Sequence, residues 1–450
     1  MSVKKTIASV IVVIAALFTL SIAEAASPLE KWADSIKSKY AGTAIRVLGI
    51  PHPASDALRA LTPEFEKATG IKVSWELVGS GDIMSKQFLA QTAKDVPYDV
   101  YMTKGVYLPA YETRHVLADL RGFLNNSALT PPGYDYEDIT LAYREGLGVF
   151  RGKVRGIPIA GEGFFISYRK DLFDKYGKSP PDTTEELLEL AKFFQNKEPG
   201  LYGISMRAET GRTFALAWDL FTSGFGGAII DQKTWEVKVN TPETLASLKY
   251  FLELLQYAPP DIETFSWNSA ISAFTSGKTA MWYDATSLQP WIDDPKKSKV
   301  VGKVAYAPPP RAPKGRFGPV GGWDLSVPSL AKNKEAGWAY IAWMTSRAKA
   351  KDLIDAGGIP ARFSTLNDPD YIAKNPNFVK ALKEALEASG NLISIGQRWV
   401  PATPEGKKIH KIAGYYGGQA LLKKMTPEEA VKAAETELLE LSKKIKATKF

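Results

Sequence analysis

The 450-residue sequence has no cysteine and only three histidines, His52, His115 and His410. The absence of cysteine excludes disulfides, thiol catalysis and cysteine-bound metals, and it removes the residue that carries the lipid of exported lipoproteins. Three separated histidines also give poor support for a transition-metal site. We therefore expect no metal, no other cofactor and no lipid tether.

The sequence also lacks a concentrated basic segment. Its 57 Lys and Arg residues exceed its 49 Asp and Glu residues by a net charge of +8, which is spread along the chain. Nucleic-acid-binding proteins concentrate basic residues on one element, with aromatic residues among them. We therefore expect no nucleic-acid partner.

A single long apolar run is present, at the N-terminus. Two lysines within residues 1–5 precede the run TIASVIVVIAALFTLSIA, and the triplet AEA at 23–25 provides a small-x-small cleavage signal. This order predicts a secretory signal peptide over residues 1–25. The alternative is an uncleaved membrane anchor, because the run is about long enough to span a bilayer. We expect a mature protein that is periplasmic or extracellular and not anchored in the membrane.

The segment after this run has the pattern of an α/β domain. AIRVLGI (44–50) and IKVSWELV (71–78) look like buried strands, and LRALTPEFEKATG (58–70) between them has helical spacing. This order predicts a parallel crossover unit, and YDVYMTK (98–104) predicts a third strand. Ligands of such sheets bind beyond the carboxyl ends of the strands. The candidate binding loops are therefore those that follow the three strands, at 51–56, 79–82 and 103–107.

A mature chain of about 425 residues exceeds what one hydrophobic core usually supports, so we expect two domains. Glycine and proline in FRGKVRGIPIA, KVAYAPPPRAP and DAGGIPAR predict that the chain crosses between two α/β lobes more than once. Such lobes can bend about a cleft but not separate. The expected parts are an N-terminal extension over 26–43, an N-terminal lobe over 44–150 plus 310–355, a C-terminal lobe over 156–303 plus 363–450, and hinges near 151–155, 304–309 and 356–362.

Four segments, in order along the chain, resemble extracellular solute-binding proteins of sugar transporters, the group that includes maltose-binding protein. They are LTPEFEKATGIKVSWELV, GKVRGIPIAGEGFFISYRKDLF, ISAFTSGKTAMWYDA and GGWDLSVPSLAKNKEAGWAYIAWMTS. The last two look most like members that take sugar alcohols such as mannitol or sorbitol. The resemblance implies a two-lobed Venus flytrap fold and no enzymatic activity. It also implies a protein that captures a carbohydrate or polyol in its cleft and delivers it to the permease subunits of an ABC importer. We expect this protein to be a monomer.

The stretch GGWDLSVP (321–328) combines the three groups that a carbohydrate site needs. Buried hydroxyl groups require hydrogen-bond partners, and carboxylates are strong acceptors. An aromatic ring covers the C–H face of a sugar, and glycine allows close approach to the backbone. Gly322, Trp323 and Asp324 are therefore candidate ligand residues. The alternatives are that Trp323 fills the core and that Asp324 caps a turn.

The remaining candidates come from the resemblance and the strand ends. Glu162 matches the ligand-facing carboxylate of the family's central segment, although it could instead pair with an arginine. Asp284 ends a predicted strand but could cap a helix, and Arg362 could bind a hydroxyl or only brace a crossing. Trp218 and Trp267 both have polar neighbours, and we expect one of them to be core. The loop candidates are His52, Asp82, Lys104 and Tyr107, whose alternative is simple solvation.

Two other functions are compatible with these residues. An exported carbohydrate-active hydrolase would use paired carboxylates about 5 to 9.5 Å apart. An anion receptor would use Arg207, Arg212 and Arg362. We expect binding rather than hydrolysis because the chain divides into two crossing lobes.

Overall fold

The computed structural model describes residues 27–93 and 96–447. The predicted signal peptide lies outside these residues. The strands are β1 (Ala44–Gly49), β2 (Lys72–Leu77), β3 (Val100–Thr103), β4 (Val149–Phe150), β5 (Lys153–Val154), β6 (Ile157–Glu162), β7 (Phe164–Arg169), β8 (Tyr202–Ser205), β9 (Thr279–Ala285), β10 (Val304–Ala307) and β11 (Gly321–Ser326).

Most strands belong to two separate sheets. The first sheet has the order β2-β1-β3-β11-β6 and the second β10-β7-β9-β8, while β4 and β5 form a hairpin. β1 is parallel to β2 and β3, as the crossover pattern predicted, whereas β11 is antiparallel to β3 and β6. The carboxyl ends of β1, β2, β3 and β6 therefore meet the beginning of β11 at one edge of the first sheet.

Helices surround both sheets. Those of eight or more residues in the described part of the chain are α1 (Pro28–Tyr40), α2 (Pro53–Thr69), α3 (Ile83–Ala90), α4 (Thr184–Phe194), α5 (Arg212–Thr222), α6 (Pro242–Leu254), α7 (Trp267–Thr275), α8 (Lys334–Met344), α9 (Pro376–Ser394), α10 (Gly406–Leu421) and α11 (Pro427–Ala447). Shorter α-helices span Leu108–Glu112, Arg121–Leu124, Leu141–Tyr143, Lys170–Lys175, Gln289–Ile292, Ala350–Asp355, Phe363–Leu366 and Pro369–Lys374. Single turns of other helix types span Gly105–Tyr107, Tyr136–Asp138, Arg144–Gly148, Ser223–Phe225, Leu255–Tyr257, Ile262–Thr264, Thr286–Leu288 and Arg347–Lys349.

Local sequence signals set several helix starts. The Thr183 hydroxyl accepts from the Glu186 N–H at 3.2 Å, and the Glu186 carboxylate accepts from the Thr183 N–H at 3.2 Å. Thr426 and Glu429 make the same reciprocal pair before α11. Each pair is a capping box, which satisfies N–H groups that have no partner within the helix.

The two sheets, each with helices packed on it, form the two α/β lobes predicted. The N-terminal extension is largely helix α1, which buries Trp32 and Ile36 beside α2. α8 is buried from Ala336 to Met344. It lies close to the first sheet because Gly337 has no side chain: a Cβ there would come within 2.7 Å of the Asp99 carbonyl oxygen. None of the described helices is long and apolar enough to cross a membrane.

The expected positions of the first two crossings are wrong. β6 pairs with β11 in the first sheet and β7 pairs with β9 in the second, so the first crossing lies at Gly163 rather than near 151–155. Residues 156–162 therefore belong with the first lobe. β10, at 304–307, is part of the second sheet, so the chain returns between β10 and β11, after residue 307.

The third crossing also lies later than expected. The helix Ala350–Asp355 contacts α2 in the first lobe, and Arg362 is hydrogen-bonded to Asp138 there. The next long helix, α9, packs on β7 and β10 of the second sheet. The chain therefore changes lobe between residues 363 and 376 rather than at 356–362. Rotation about these three crossings stays a prediction.

Candidate functional site

A cavity of about 200 Å³ lies between the two lobes, where the strands of the first sheet end. This volume is sufficient for a small molecule rather than for one or two waters. The first lobe contributes residues that follow β1, β2 and β3 and residues at the adjoining ends of β6 and β11. The lining residues are Ile50, His52, Ser80, Gly81, Lys104, Glu162, Arg207, Glu209, Arg212, Thr213, Leu216, Ser266, Trp267, Asn268 and Trp323.

His52 and Glu162 form a buried pair in the first-lobe wall. His52 caps the N-terminus of α2, and its Nδ1 accepts from the Ala54 N–H at 3.1 Å. The proton of the neutral ring is therefore on Nε2, which lies 3.2 Å from Glu162 Oε1 and donates to it. Ser287, which follows β9 in the second lobe, donates to the same oxygen at 2.8 Å. One carboxylate is thus held by donors from both lobes.

These contacts keep Glu162 charged. Burial alone would raise the pKa of this carboxyl group, but the hydrogen bond from His52, the charge of Lys104 and the Ser287 hydroxyl together hold its pKa below the ordinary value. A charged carboxylate has lone pairs for about four hydrogen bonds. Glu162 can therefore still accept hydroxyl groups of a ligand in the cavity.

Two tryptophans contribute flat apolar surface from opposite lobes. Trp267 is the first residue of α7, and its ring is nearly parallel to that of His52, at 8° and 6.4 Å between centroids. Trp323 on β11 is tilted towards His52 at 6.3 Å, and the Lys104 ammonium lies 5.4 Å from the centre of a Trp323 ring. The stack of His52 on Trp267 joins the lobes across the cavity.

Two arginines come from the second lobe. Arg207 Nε donates to Asp284 Oδ2 at 2.7 Å and its Nη2 donates to Oδ1, so the pair is bidentate and buried. Arg212, at the start of α5, donates to the hydroxyl of Tyr107 in the first lobe. Arg207 is thus neutralised by its own lobe, whereas Arg212 reaches across to the other.

The structure brings five predicted residues to the cavity: His52, Lys104, Glu162, Trp267 and Trp323. The nearest other candidates, Tyr107 and Asp284, do not line it. Tyr107 lies behind Arg212, and Asp284 is occupied by Arg207. The alternatives were that Glu162 pairs with an arginine and that Asp284 caps a helix. In the structure Asp284 pairs with an arginine, and Glu162 faces the cavity. Direct ligand contact stays a prediction for every residue.

Asp324 is not at the cavity, which corrects its predicted place beside Trp323. Its carboxyl group is fully buried, and neither oxygen has a hydrogen-bond partner among the described residues. A Cβ on Gly105 would come within 2.5 Å of Oδ2, which shows how closely the backbone surrounds it. Burial raises the pKa of Asp324 well above the ordinary value. Successive side chains on a strand point to opposite faces, so Trp323 and Asp324 serve different sides of β11.

Gly322, Trp218, Arg362 and Asp82 also lie elsewhere. A Cβ on Gly322 would come within 2.2 Å of the Ala160 carbonyl oxygen. This glycine is therefore required for packing against β6 rather than for the approach of a ligand. Trp218 is buried in α5 and donates to Ser247 at 2.8 Å, which makes it the core member of the tryptophan pair. Arg362 braces the first lobe by donating to the Thr345 carbonyl at 2.7 Å.

Asp82 is exposed and precedes α3, while its neighbours Ser80 and Gly81 reach the cavity. Two residues of the predicted loop therefore line the cavity, whereas Asp82 does not, and ligand binding by this loop stays a prediction. Glu209, Thr213, Leu216 and Ser266 were missed altogether. They follow no strand end of the first sheet, so no local signal linked them to the loops opposite.

Two α/β lobes that enclose a cavity lined by acceptors, donors and aromatic rings define a two-lobed ligand-binding protein. Residues 51–351 match the model of the bacterial extracellular solute-binding protein family, and the chain belongs to that family. This confirms the predicted family, the fold class and a solute-binding role. No finding supports the hydrolase alternative.

The chain is similar to several proteins of this kind. It is 28% identical over 334 residues to the mannitol-binding protein of Pseudomonas aeruginosa, covering 70% of this chain and 75% of that one. It is 26% identical over 408 residues to a probable amino-acid ABC transporter periplasmic-binding protein of Sinorhizobium fredii, covering 88% and 89%. A solute-binding protein of Agrobacterium radiobacter solved with ribitol has a TM-score of 0.78 and 27% identity, covering 89% of this chain and 99% of that chain.

Proposed function

We propose that this protein is the substrate-binding component of an ABC importer and that it captures a hydroxyl-rich ligand, a polyol or small sugar, between its lobes. The observation that carries the proposal is the juxtaposition of Glu162, kept charged, with the rings of Trp267 and Trp323 in one cavity between the lobes. Hydroxyl groups need strong acceptors, and the C–H face of the same molecule needs apolar surface. Two of the relatives named above are described as mannitol-binding or ribitol-bound.

In the proposed mechanism the ligand binds one lobe in an open form, and closure adds contacts from the other. Three contacts join the lobes at the cavity: His52 on Trp267, Ser287 to Glu162, and Arg212 to Tyr107. A ligand shifts the equilibrium only by what it binds better in the closed form. The closed protein, exported as a monomer to the periplasm or cell exterior, then presents its ligand to the permease.

The proposed role is binding without catalysis. Paired-carboxylate hydrolysis needs two accessible acids on opposite sides of the bond. Asp284 is held by Arg207 and Asp324 is buried away from the cavity, so the acids of the cavity lining are Glu162 and Glu209. The match to a solute-binding family supports binding at these acids rather than hydrolysis. Incubation with oligosaccharides should therefore produce no new reducing ends.

A thermal-shift panel of polyols, monosaccharides, disaccharides and amino acids tests the proposal. Ligand raises the melting temperature by an amount that grows with its concentration relative to the dissociation constant. We expect a polyol or small sugar to give the largest shift and to reduce the radius of gyration in small-angle scattering. Stabilisation by amino acids alone, or scattering that a tightly bound ligand leaves unchanged, would contradict the proposal.

A further inference from the structure

Three positively charged side chains gather around Tyr107, and two of them line the cavity. Lys104 and Arg212 line the cavity. Lys407, near the start of α10, lies 5.3 Å from the centre of the Tyr107 ring, and Arg212 donates to the Tyr107 hydroxyl. Lys104 adjoins the turn that carries Tyr107, whose N–H donates to the Lys104 carbonyl at 2.9 Å. This group is called the cationic corner.

The carboxylates of the cavity lining form no ion pair with the cationic corner: Glu209 accepts from the Thr213 hydroxyl at 3.3 Å, and Glu162 acts on Lys104 only through its charge. Among the ion pairs formed within residues 27–93 and 96–447, none involves Lys104, Arg212 or Lys407. Arg207, on the same cavity wall, shows the contrast, because both oxygens of Asp284 neutralise it. The protein thus balances one cavity arginine internally and leaves the other cations unbalanced.

Unbalanced cations in a poorly hydrated site repel one another. Burial and then the charge of Arg212 lower the pKa of Lys104 to about 7, against the weaker attraction of Glu162 and with further repulsion from Arg207 and Lys407. Burial and Arg212 lower the pKa of Lys407 as well. An anion at this corner would be attracted by all three groups and would favour their charged forms.

Glu162, in the first-lobe wall of the same cavity, has the reverse preference. Glu162 is charged and accepts from His52 and Ser287. It would repel a small anion placed beside it and would accept the hydrogen-bond donors of hydroxyl groups. A ligand that fits both Glu162 and the cationic corner therefore carries hydroxyl groups and a negatively charged group.

We propose that the ligand is a polyhydroxylated molecule with one anionic end, such as a sugar acid, whose charged group binds Lys104 and Arg212 and whose hydroxyl groups bind Glu162. The inference rests on the proposed function and narrows its ligand class. A carboxylate and a phosphate ester share the required chemistry, and the experiment distinguishes them.

The direct test compares ligands that differ only at one end. Sorbitol, gluconate and sorbitol 6-phosphate share a six-carbon hydroxylated chain, and their affinities would be measured by calorimetry at pH 7 and low salt. We expect one of the two anions to bind at least about tenfold more tightly than sorbitol, and added NaCl to reduce this preference because salt screens exposed charges. The tighter of the two identifies the anionic group.

Variants locate the charged end. Lys104→Gln and Arg212→Gln should each reduce the anion preference, the ratio of the dissociation constant of sorbitol to that of the tighter anion, about tenfold. Lys249→Gln is the matched control, since Lys249 pairs with Glu428 at an exposed site between α6 and α11. Because Lys104 is partly unprotonated near pH 7, anion binding should also take up a proton, visible as a binding heat that depends on the ionisation enthalpy of the buffer. Lys104→Gln should abolish that uptake.

The outcomes separate the two levels of the proposal. Equal affinity for sorbitol and both anions would overturn this inference and leave the proposed function standing. Anion preference that survives both substitutions would overturn the assignment to Lys104 and Arg212. Failure of every polyol, sugar and sugar acid to bind would overturn the proposed function itself. If Lys104→Gln does not fold, Arg212→Gln and wild-type proton uptake still decide the question.

Discussion

The wall of the cavity and the interior of the first lobe directly behind it each contain a buried acid, and the two acids behave in opposite ways. Glu162 is 6% exposed and Asp324 is 0% exposed. Glu162 accepts two hydrogen bonds, and its pKa is lowered, whereas Asp324 has no partner among the described residues and its pKa is raised. Burial alone does not set the charge of a carboxyl group, since the donors around it decide which form is stable.

The largest effect on ligand affinity should come from replacing the cavity acid by its amide. The same replacement of the buried acid provides the comparison. Glu162→Gln removes the charged acceptor in the cavity, and a hydrogen bond to a charged group contributes about 1.5–3 kcal/mol. We expect ligand affinity to fall about tenfold to a hundredfold. Asp324→Asn should leave it within about twofold. Calorimetry on both variants makes the comparison, and equal losses would show that Asp324 reaches the ligand.

The tryptophans provide the same contrast between wall and interior. Trp267→Leu removes an aromatic face from the cavity, and such contacts contribute about 0.5–1.5 kcal/mol beyond their area. We expect affinity to fall up to about tenfold with little change in melting temperature. Trp218→Phe in the core of α5 should do the reverse, lowering the melting temperature with the dissociation constant unchanged. A fall in ligand affinity for Trp218→Phe, measured at a temperature where the variant is fully folded, would contradict the placement of Trp218 in the core.

Stability against pH should separate the two acids by sign. The native pKa of Asp324 is raised, so above about pH 4, where the unfolded carboxyl loses its proton, the free energy of unfolding falls as pH rises. Asp324→Asn should remove this loss and raise the melting temperature at pH 7 by a few degrees, but not at pH 4. Glu162 has a lowered native pKa, so its contribution is present above the unfolded pKa and is lost as pH falls through the native one.

Urea unfolding of wild type, Asp324→Asn and Glu162→Gln at pH 4, 5.5 and 7 checks these signs. A stabilisation by Asp324→Asn that is the same at all three values would show that the native carboxyl is ionised. A stabilisation by Glu162→Gln that grows with pH would show that its charge is not supported by His52 and Ser287.

The smallest effect should come from the rim, outside both regions. Lys297 and Asp56 form an ion pair between the lobes at 3.3 Å, with both side chains more than 40% exposed. Exposed pairs contribute little and are screened by salt. Lys297→Ala should change ligand affinity by less than about threefold, and by nothing measurable at 0.5 M NaCl. A larger change that persists in salt would mean that the rim, rather than the cavity, controls closure.

Local signals predicted much of the fold. The first two strands lie within one residue of where the pattern placed them, because hydrophobic spacing is a property of neighbouring residues. The helix between them begins at Pro53, inside the predicted loop 51–56, rather than at Leu58. The crossings were predicted too early in the chain because their positions depend on contacts between residues that are distant in sequence. Glycine and proline near 151–160 mark irregular backbone, but only the pairing of β6 with β11 shows that the chain is still in the first lobe there.

The cavity shows the same division. Strand ends led to His52 and Lys104, and the family resemblance led to Glu162. Arg207 and Arg212 were predicted only as part of an alternative anion site. A sequence pattern does not show that Asp284 neutralises Arg207 or that Arg212 lines the same cavity as Lys104. The prediction of Asp324 ignored the alternation of side chains along β11.

By itself, the sequence determined that two α/β lobes form and that strand ends carry polar and aromatic side chains, because periodicity and turn residues act over a few positions. Only the tertiary structure decided which acid is charged, which tryptophan faces a ligand and which cations lack a partner. Charge and burial depend on groups that are distant in sequence, such as His52 and Ser287 beside Glu162, and these meet only when the lobes pack.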